Sequence, residues 1–200
     1  EIYTLSLHDA LPILGIVLNY PNQNREILTK SKVELNVQSP KVIDPSIPCV
    51  GFIGAGNYAS RTLIPAFKEA GAVLDTLVTS GGISGVHHGN KNQFTIASTE
   101  TKDLWNNDTI NTVSIVTRHD AHAQQVVDAL KSGKNVFVEK PLALTLDELD
   151  VIDKAYHKAN QSNTVRLMVG FNRRYAPHIV KMKELLNRHR SPKSIIMTVN

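Results

Sequence analysis

The stretch CVGFIGAGNYASRTLIPAFKEAG, from Cys49 to Gly71, predicts the fold of this chain. Residues 50–53 are apolar or small, which indicates a buried strand. Gly54, Gly56 and Ala59 follow in the spacing G-x-G-x-x-A. In a strand–turn–helix unit, the first glycine permits a tight turn and the second lets the backbone approach a pyrophosphate, while the third small residue allows close helix packing. The stretch therefore predicts a dinucleotide-binding unit with phosphate at the helix N-terminus.

A helix is expected after the glycines, with one irregularity. Leu63, Ile64, Phe67 and Ala70 recur at spacings typical of an amphipathic helix. Pro65 lies inside this pattern and has no N–H to donate to the preceding turn. We therefore expect this helix to be kinked.

Strands and helices alternate along the rest of the chain. Further strands are predicted at 73–79, 94–98, 112–117, 135–141 and 165–171, and helices at 102–107, 121–132, from 145 onward, and 177–188. Thr145 and Glu148 form a capping box at the start of the third of these helices. This alternation predicts an α/β fold with a doubly wound parallel sheet, the Rossmann arrangement.

The residue that usually distinguishes NAD from NADP is missing. An acidic side chain is expected at the end of the second strand of the dinucleotide unit, where it would hold the adenosine ribose. That position reads Thr79-Ser80-Gly81-Gly82, and Asp75 lies at the other end of the strand. NADP would favour a nearby arginine, but the next cation is Lys91. The sequence leaves NAD and NADP open, with a lean towards NADP.

The stretch NVFVEKPLAL, 135–144, places two charges at the tip of a strand. Three apolar residues indicate a buried strand, and Pro141 cannot continue its hydrogen-bond ladder. Glu139 and Lys140 would therefore be held at the carboxyl end of a parallel strand, where open α/β sheets bind their ligands.

Composition is ordinary for a globular protein, with 200 residues, 42% hydrophobic content and a net charge of +4. The single cysteine, Cys49, excludes an intrachain disulfide and fits a reducing cytoplasm. His87 and His88 lack metal-ligand spacing with it, and no metal is expected. The segment 166–193 is strongly basic, but no recognition motif accompanies it, so nucleic acid is not expected as a partner. No apolar run is long enough to cross a membrane.

The chain start is unlike the rest. Residues 1–13, EIYTLSLHDALPI, resemble a translated sequencing adapter, and we expect them to be an artefact. Residues 14–37 include a strand-like segment at 14–21 and are interpreted as the remnant of an upstream domain. Prolines punctuate 38–48, which is interpreted as a linker. The dinucleotide-binding domain is expected at 49–172, and the start of a truncated α+β substrate domain at 173–200.

The motifs GFIGAGNYA, TRHDAHAQQVVDALKSGKNVFVEKPLAL and GFNRRYAP, in this order, resemble the Gfo/Idh/MocA oxidoreductases from about residue 49 to 200. This resemblance implies an NAD(P)-dependent enzyme that transfers a hydride to or from a sugar or nucleotide sugar bound between two domains. It implies that Lys140 is catalytic and that it donates a hydrogen bond or proton to the substrate oxygen. A lysine suits this role because burial and neighbours can adjust its pKa.

The resemblance also assigns the remaining site residues. Those expected to bind the cofactor are Gly54, Gly56, Asn57, Tyr58, Ser80, Thr117, His119, His122, Glu139 and Lys140, and those expected to bind the substrate are Lys140, Asn172 and Arg173. Arg174 and Tyr175 are expected to serve packing or ion pairing. The family commonly has Thr-Pro-Asn where this chain has Thr117-Arg118-His119, which puts the contacts of the replaced residues in doubt.

The family's acid/base pair lies in the substrate domain, so we expect this chain to bind a dinucleotide but to turn nothing over. The segments before residue 38 resemble fused proteins in which a zinc-type alcohol dehydrogenase module precedes this one. The full-length protein is a candidate homo-oligomer with no membrane partner. Two alternatives stay open: a non-catalytic dinucleotide-binding or regulatory module, and nucleic-acid binding through the basic segment.

Overall fold

The structure is a computed structural model, and it describes residues 30–35, 46–162, 164–188, 191–196 and 198 of the chain. The chain divides into two compact units, 1–30 and 31–200. All described residues except Lys30 belong to the second unit. The adapter-like residues, the strand expected at 14–21 and most of the linker lie outside the described residues, so those interpretations stay predictions.

One seven-stranded sheet forms the centre of the described part of the second unit. Its strands are β1 (Lys32–Glu34), β2 (Cys49–Ile53), β3 (Val73–Val78), β4 (Ile96–Ser98), β5 (Thr112–Ile115), β6 (Asn135–Val138) and β7 (Leu167–Val169). They lie in the order β1-β4-β3-β2-β5-β6-β7. Every neighbouring pair is parallel except β1 with β4. The predicted α/β fold with a parallel sheet is confirmed.

The chain leaves the centre of the sheet in both directions, as a doubly wound fold requires. β2 pairs with β3 on one side and with β5 on the other. The chain builds β3 and β4 outward, then crosses over to build β5, β6 and β7. The strand order therefore reverses between β2 and β5. The carboxyl ends of these two strands border the crevice in which open α/β sheets bind their ligands.

Helices connect the strands. Those in the described ranges are α1 (Ile64–Glu69), α2 (Gly82–Asn92), α3 (Lys102–Trp105), α4 (His122–Lys131), α5 (Leu146–Ser162) and α6 (Pro177–Asn187), with 3₁₀ turns at His119–Ala121 and Asn172–Tyr175. The predicted capping box is present, since the Glu148 N–H donates to Thr145 Oγ1 at 3.2 Å and the Thr145 N–H donates to Glu148 Oε2 at 3.2 Å. None of the helices described has the length and hydrophobicity of a membrane span.

The helix after the glycines accommodates Pro65 through a π-helical turn. This turn, Ala59–Leu63, lies directly before α1. The Ile64 N–H donates to the carbonyl oxygen of Ala59, five residues earlier. A π-helical turn is a recognised way for a helix to absorb an irregular residue. The expected distortion is therefore a widened turn on the N-terminal side of the proline.

Helix α2 was not predicted, because its glycines are poor helix formers. Close packing of α2 against the sheet explains why glycines occur in this helix. A Cβ atom added at Gly85 would lie 2.7 Å from Thr79 Oγ1, and one at Gly89 would lie 2.5 Å from Leu35 Cδ1. The missing side chains therefore let α2 lie unusually close to the sheet. Burial against the sheet outweighs the low helix propensity of the segment.

The strand β1 extends the sheet at one edge. Within residues 14–37, which are predicted to be the remnant of an upstream domain, Lys32–Glu34 pairs with Ile96–Ser98 of the dinucleotide-binding unit. Leu35 is 6% exposed, and it packs where Gly89 has no side chain. Pairing covers an open strand edge and buries a leucine, which is the physical reason for this placement. The rest of the domain division stays a prediction.

Aromatic side chains fill one face of the sheet. The ring of Phe52 meets the rings of Phe67 and Phe94 edge-on, with centroid distances of 5.3 and 5.8 Å. Phe67 also meets Phe137 at 5.6 Å. Ser114 lies between Phe52 and Phe137 in the sheet register, and its small side chain leaves room for the Phe67 ring. The opposite face packs against α4 and α5 through the aliphatic residues Val113, Ile115, Val126, Val127, Leu130, Val138 and Ile152.

Candidate functional site

The loop after β2 turns sharply at a glycine. Gly54 has φ +99°, which lies in the left-handed region. Its N–H donates to the carbonyl oxygen of Val78 at 2.8 Å. A Cβ atom at this position would lie 2.4 Å from the carbonyl oxygen of Val116. At Gly56, in contrast, an added Cβ would meet no atom within 4 Å. The first glycine is therefore required by the turn, while the second borders open space.

Two adjoining clefts open at the carboxyl ends of the parallel strands. The large cleft has a volume of about 850 Å³ and is lined by Ile53, Gly54, Ala55, Gly56, Val78, Thr79, Ser80, Gly81, Ser84, Thr99, Thr101, Val116, Thr117, Arg118, Asp120 and Ala121. The small cleft has a volume of about 420 Å³ and is lined by Gly56, Asn57, Tyr58, Ala59, Val116, Thr117, His119, His122, Glu139, Lys140 and Asn172. Gly56, Val116 and Thr117 border both clefts. Together they form one elongated groove across the switch point.

Glu139 and Lys140 follow β6 and lie in the small cleft. The Glu139 N–H donates to the Ile115 carbonyl oxygen at 3.0 Å, which continues the pairing with β5 by one residue. Glu139 Oε1 is buried and makes no hydrogen bond with the residues that the structure describes. A Cβ atom on Gly170 would lie 2.7 Å from this oxygen. Lys140 is exposed, and its peptide bond to Pro141 is cis.

His122 holds the ends of two strands together. Its side chain is 0% exposed. Nδ1 lies 2.6 Å from the carbonyl oxygen of Pro141, and Nε2 lies 3.2 Å from that of Thr117. Both partners are acceptors, so only a doubly protonated ring would donate to both. His122 borders the small cleft, and its ring donates to at least one of these two backbone carbonyl oxygens. His119 is exposed, and the two imidazole rings lie 5.7 Å apart.

The segment after β7 reaches the small cleft through Asn172. Its amide nitrogen lies 3.2 Å from the hydroxyl oxygen of Tyr58. Arg173 is exposed and lines neither cleft, so its substrate contact stays a prediction. The guanidinium of Arg174 lies over the ring of Tyr175, 5.0 Å from its centroid. This stacking agrees with the expectation that these two residues serve packing.

The large cleft is rich in hydroxyl groups and poor in charge. Thr79 Oγ1 donates to the Gly81 carbonyl oxygen at 2.8 Å, and the side chains of Ser80 and Ser84 are exposed. Among the residues that line this cleft, Arg118 and Asp120 are the charged ones. Arg118 departs from the family pattern, and the resemblance predicts no role for it. Its position directly after a strand, at the sheet edge where ligands bind, is the signal that could have identified it.

Clear pKa shifts occur at the amino ends of two strands, for Lys134 just before β6 and for Cys49 at the start of β2. Lys134 is 4% exposed, and its Nζ donates to the carbonyl oxygens of Asn107 and Ile110 at 2.9 Å each. Burial lowers the pKa of this lysine. Burial, aided by the charge of Asp75, raises the pKa of the Cys49 thiol to about 11. Neither of these groups lines the large cleft or the small cleft.

The groove fits an elongated ligand with a phosphate group near its middle. Open space beside Gly56 lets such a ligand approach the backbone, and a helix begins directly after the loop. Hydroxyl groups line one half of the groove. A carboxylate and an amine line the other half. A dinucleotide has this shape and this distribution of polar groups.

Comparison with known proteins agrees with this geometry. The family model of the Gfo/Idh/MocA oxidoreductases, with an NAD-binding Rossmann fold, matches residues 49–171. An oxidoreductase of Formosa agariphila is 33% identical over 138 residues, which cover 68% of this chain and 42% of that protein. An inositol 2-dehydrogenase/D-chiro-inositol 3-dehydrogenase of Lactiplantibacillus plantarum is 32% identical, and the match covers 69% of this chain and 38% of that protein.

Solved structures show the same fold. The crystal structure of an oxidoreductase domain protein from Kribbella flavida superposes with a TM-score of 0.61 at 28% identity, over 71% of this chain and 38% of that one. The chain thus spans about two-fifths of the length of the relatives that it matches.

Proposed function

This chain belongs to the Gfo/Idh/MocA oxidoreductase family, and from that premise we propose that it serves an NAD(P)-dependent oxidation or reduction of a sugar-like alcohol or ketone. The observation that carries the proposal is the position of Lys140. Lys140 lines the small cleft, which adjoins the large cleft at Gly56, Val116 and Thr117. Lys140 would thereby serve as a proton donor in the half of the groove that would receive the reacting end of a dinucleotide.

The residues of the groove divide between the two halves of the cofactor. Gly54 and Gly56 would cradle the pyrophosphate, since the turn presents backbone N–H groups and leaves space beside the second glycine. Ser80 would contact the adenosine half. Residues of the small cleft, including Asn57 and Thr117, would hold the nicotinamide half. A nicotinamide bound there supplies hydride transfer, and the chain's own residues supply binding, orientation and proton transfer.

Lys140 Nζ would hold the substrate oxygen by a hydrogen bond and would exchange a proton with it as the oxidation state of the carbon changes. A general acid or base of this kind typically contributes a factor of about 10²–10⁴ in rate. Glu139 would orient this end of the cleft, because its carboxylate is enclosed beside Gly170. His122 would keep the Lys140–Pro141 segment in place through its bond to the backbone.

The substrate class follows from the relatives and from the chemistry of the small cleft. One relative is an inositol dehydrogenase. Amide, phenol and amine groups from Asn172, Tyr58 and Lys140 line the cleft, and such groups match the hydroxyls of a polyol or a sugar. Arg173, close to Asn172 in the chain, would suit the phosphate of a nucleotide sugar. We propose a polyol, sugar or nucleotide sugar as the substrate and the cytoplasm as the place of action.

The test separates catalysis from cofactor binding. In the full-length protein, assayed with polyols and sugars, Lys140→Met should lower kcat by at least about 100-fold and leave the dissociation constant of the dinucleotide within a factor of about two. Lys154→Met, on the exposed side of α5, is the matched control and should behave as wild type. Full activity of Lys140→Met would refute the assigned role. Dinucleotide binding by the full-length protein without turnover of any such substrate would favour a non-catalytic module.

A further inference from the structure

We propose that the large cleft selects NADP over NAD, and that Arg118 makes this selection by binding the 2′-phosphate of the adenosine half. This inference rests on the proposed function, because it concerns the same dinucleotide. It adds a specificity-determining residue that the chain contributes from the end of β5 rather than from the end of β3.

The wall formed by the end of β3 cannot reject a phosphate group. Residues 79–86 carry no charged side chain. A carboxylate at this place would bind the 2′-hydroxyl of NAD and repel a 2′-phosphate. Instead, the exposed side chains of Ser80 and Ser84 offer hydroxyl groups to the cleft. Hydroxyls donate hydrogen bonds to phosphate oxygens without adding negative charge.

Arg118 supplies the positive charge that this wall lacks. It lines the large cleft but not the small one, so it faces the half of the groove assigned to adenosine. The residue is exposed, and its guanidinium makes no ion pair among the residues that the structure describes. An unpaired guanidinium can form two parallel hydrogen bonds to one phosphate group.

One negative charge lies close to Arg118 in the chain. Asp120 also lines the large cleft, on the 3₁₀ turn that follows. Asp120 also borders a separate cavity, which Asp147 and Glu148 help to line. Its carboxylate is not within ion-pair distance of Arg118. Arg118 is therefore not neutralised by direct contact, and its charge is available to a ligand.

The tertiary structure brings Arg118 and the hydroxyl groups of Ser80 and Ser84 to one cleft. The Ser80 and Arg118 positions follow different strands, β3 and β5, which lie on opposite sides of β2. Thr99 and Thr101, after β4, complete the same wall. Along the sequence, the first cation after Ser80 is Lys91. The sheet order explains why the cation in the cleft is instead Arg118, 38 residues after Ser80.

Calorimetric titration of the 200-residue chain tests the proposal without any turnover. NADPH should bind at least about tenfold more tightly than NADH, and 2′,5′-ADP more tightly than 5′-AMP by a similar factor, since charge-assisted bonds to phosphate are strong. Both preferences should shrink as salt concentration rises. Arg118→Gln should abolish both preferences, because it should weaken the binding of only those ligands that carry a 2′-phosphate. Lys102→Gln, an exposed residue beside Thr101 that lines neither cleft, is the matched control.

The outcomes separate this inference from the proposed function. Equal or tighter binding of NADH by the wild-type chain would overturn the inference, and so would an NADPH preference that survives in Arg118→Gln. In both cases the proposed dinucleotide site would still stand. If neither dinucleotide binds, the proposed function fails and the inference fails with it. Ser80→Asp adds a reciprocal check, because a carboxylate at the end of β3 should shift the preference towards NADH.

Discussion

The side-chain amide of Asn172 donates a hydrogen bond to the hydroxyl oxygen of Tyr58 at 3.2 Å, across a separation of 114 residues. Tyr58 lies just after the glycine loop, and Asn172 begins the 3₁₀ turn that follows β7. Both residues line the small cleft. The bond therefore ties the proposed substrate contact to the loop that would hold the cofactor.

Tyr58→Phe removes the acceptor and keeps the aromatic ring. We expect KM for the substrate to rise about two- to tenfold with little change in kcat, because a neutral hydrogen bond contributes about 0.5–1.5 kcal/mol and this one positions a binding residue. Steady-state kinetics of the full-length protein would measure both constants. Tyr175→Phe, whose ring packs under Arg174, should leave both unchanged. An unaltered KM in Tyr58→Phe would mean that Asn172 needs no support from this hydroxyl.

The two glycines of the loop should respond differently to alanine. Gly54→Ala should lower the free energy of unfolding by about 3 kcal/mol or more, because φ is positive and the new Cβ would collide with the backbone at Val116. Gly56→Ala should change it by less than about 0.5 kcal/mol but weaken dinucleotide binding at least about tenfold, since the methyl group enters the groove. Urea unfolding and calorimetric titration would measure the two effects. Undiminished binding by Gly56→Ala would contradict the placement of the pyrophosphate.

His122→Leu keeps a buried side chain of similar size and removes both ring nitrogens. We expect the free energy of unfolding to fall by about 1–3 kcal/mol, because at least one of the carbonyl oxygens of Thr117 and Pro141 loses its hydrogen-bond donor. The kcat should fall as well, since the segment that carries Lys140 loosens. His119→Leu, at an exposed position in the same cleft, should cost less than about 1 kcal/mol. Equal free energies of unfolding of the two variants in urea would show that the hydrogen bonding of His122 does not stabilise the fold.

The buried thiol of Cys49 should make stability depend on pH in the alkaline range. Its pKa is raised to about 11 in the folded chain, compared with about 8.5 in an unfolded chain. The unfolded state therefore loses this proton first. The contribution of the protonated Cys49 thiol to the free energy of unfolding is complete below about pH 8, and it is lost as pH rises through about 11.

Cys49→Ala removes this dependence. Between pH 8 and 11, the wild-type chain should lose about 2–3 kcal/mol more stability than the variant. Lys134, whose pKa is lowered, acts in the opposite direction but is common to both chains. Urea unfolding at several pH values would measure the difference. Parallel stability curves would show that the thiol titrates normally in the folded state.

The local patterns of the sequence predicted most of the fold. The strand before Gly54, the alternation of elements and the capping box at Thr145 were all recognisable, because periodicity and capping depend on residues within a few positions of one another. The strand predicted at 112–117 ends at Ile115 in the structure, since the following residues turn towards the groove. Helix α2 was missed because its glycines have a packing role that only a neighbouring element reveals.

By itself, the sequence determined the Rossmann order of elements, the glycine loop and the placing of Glu139 and Lys140 at a strand end, since each follows from short-range sterics and side-chain period. Only the tertiary structure decided that β1 pairs at the sheet edge, that His122 lies between the carbonyl oxygens of Thr117 and Pro141, and that Arg118 and Ser80 line the same cleft. These relationships join residues from separate strands and turns. They depend on strand order and on the depth to which each side chain is buried, and no local pattern records either.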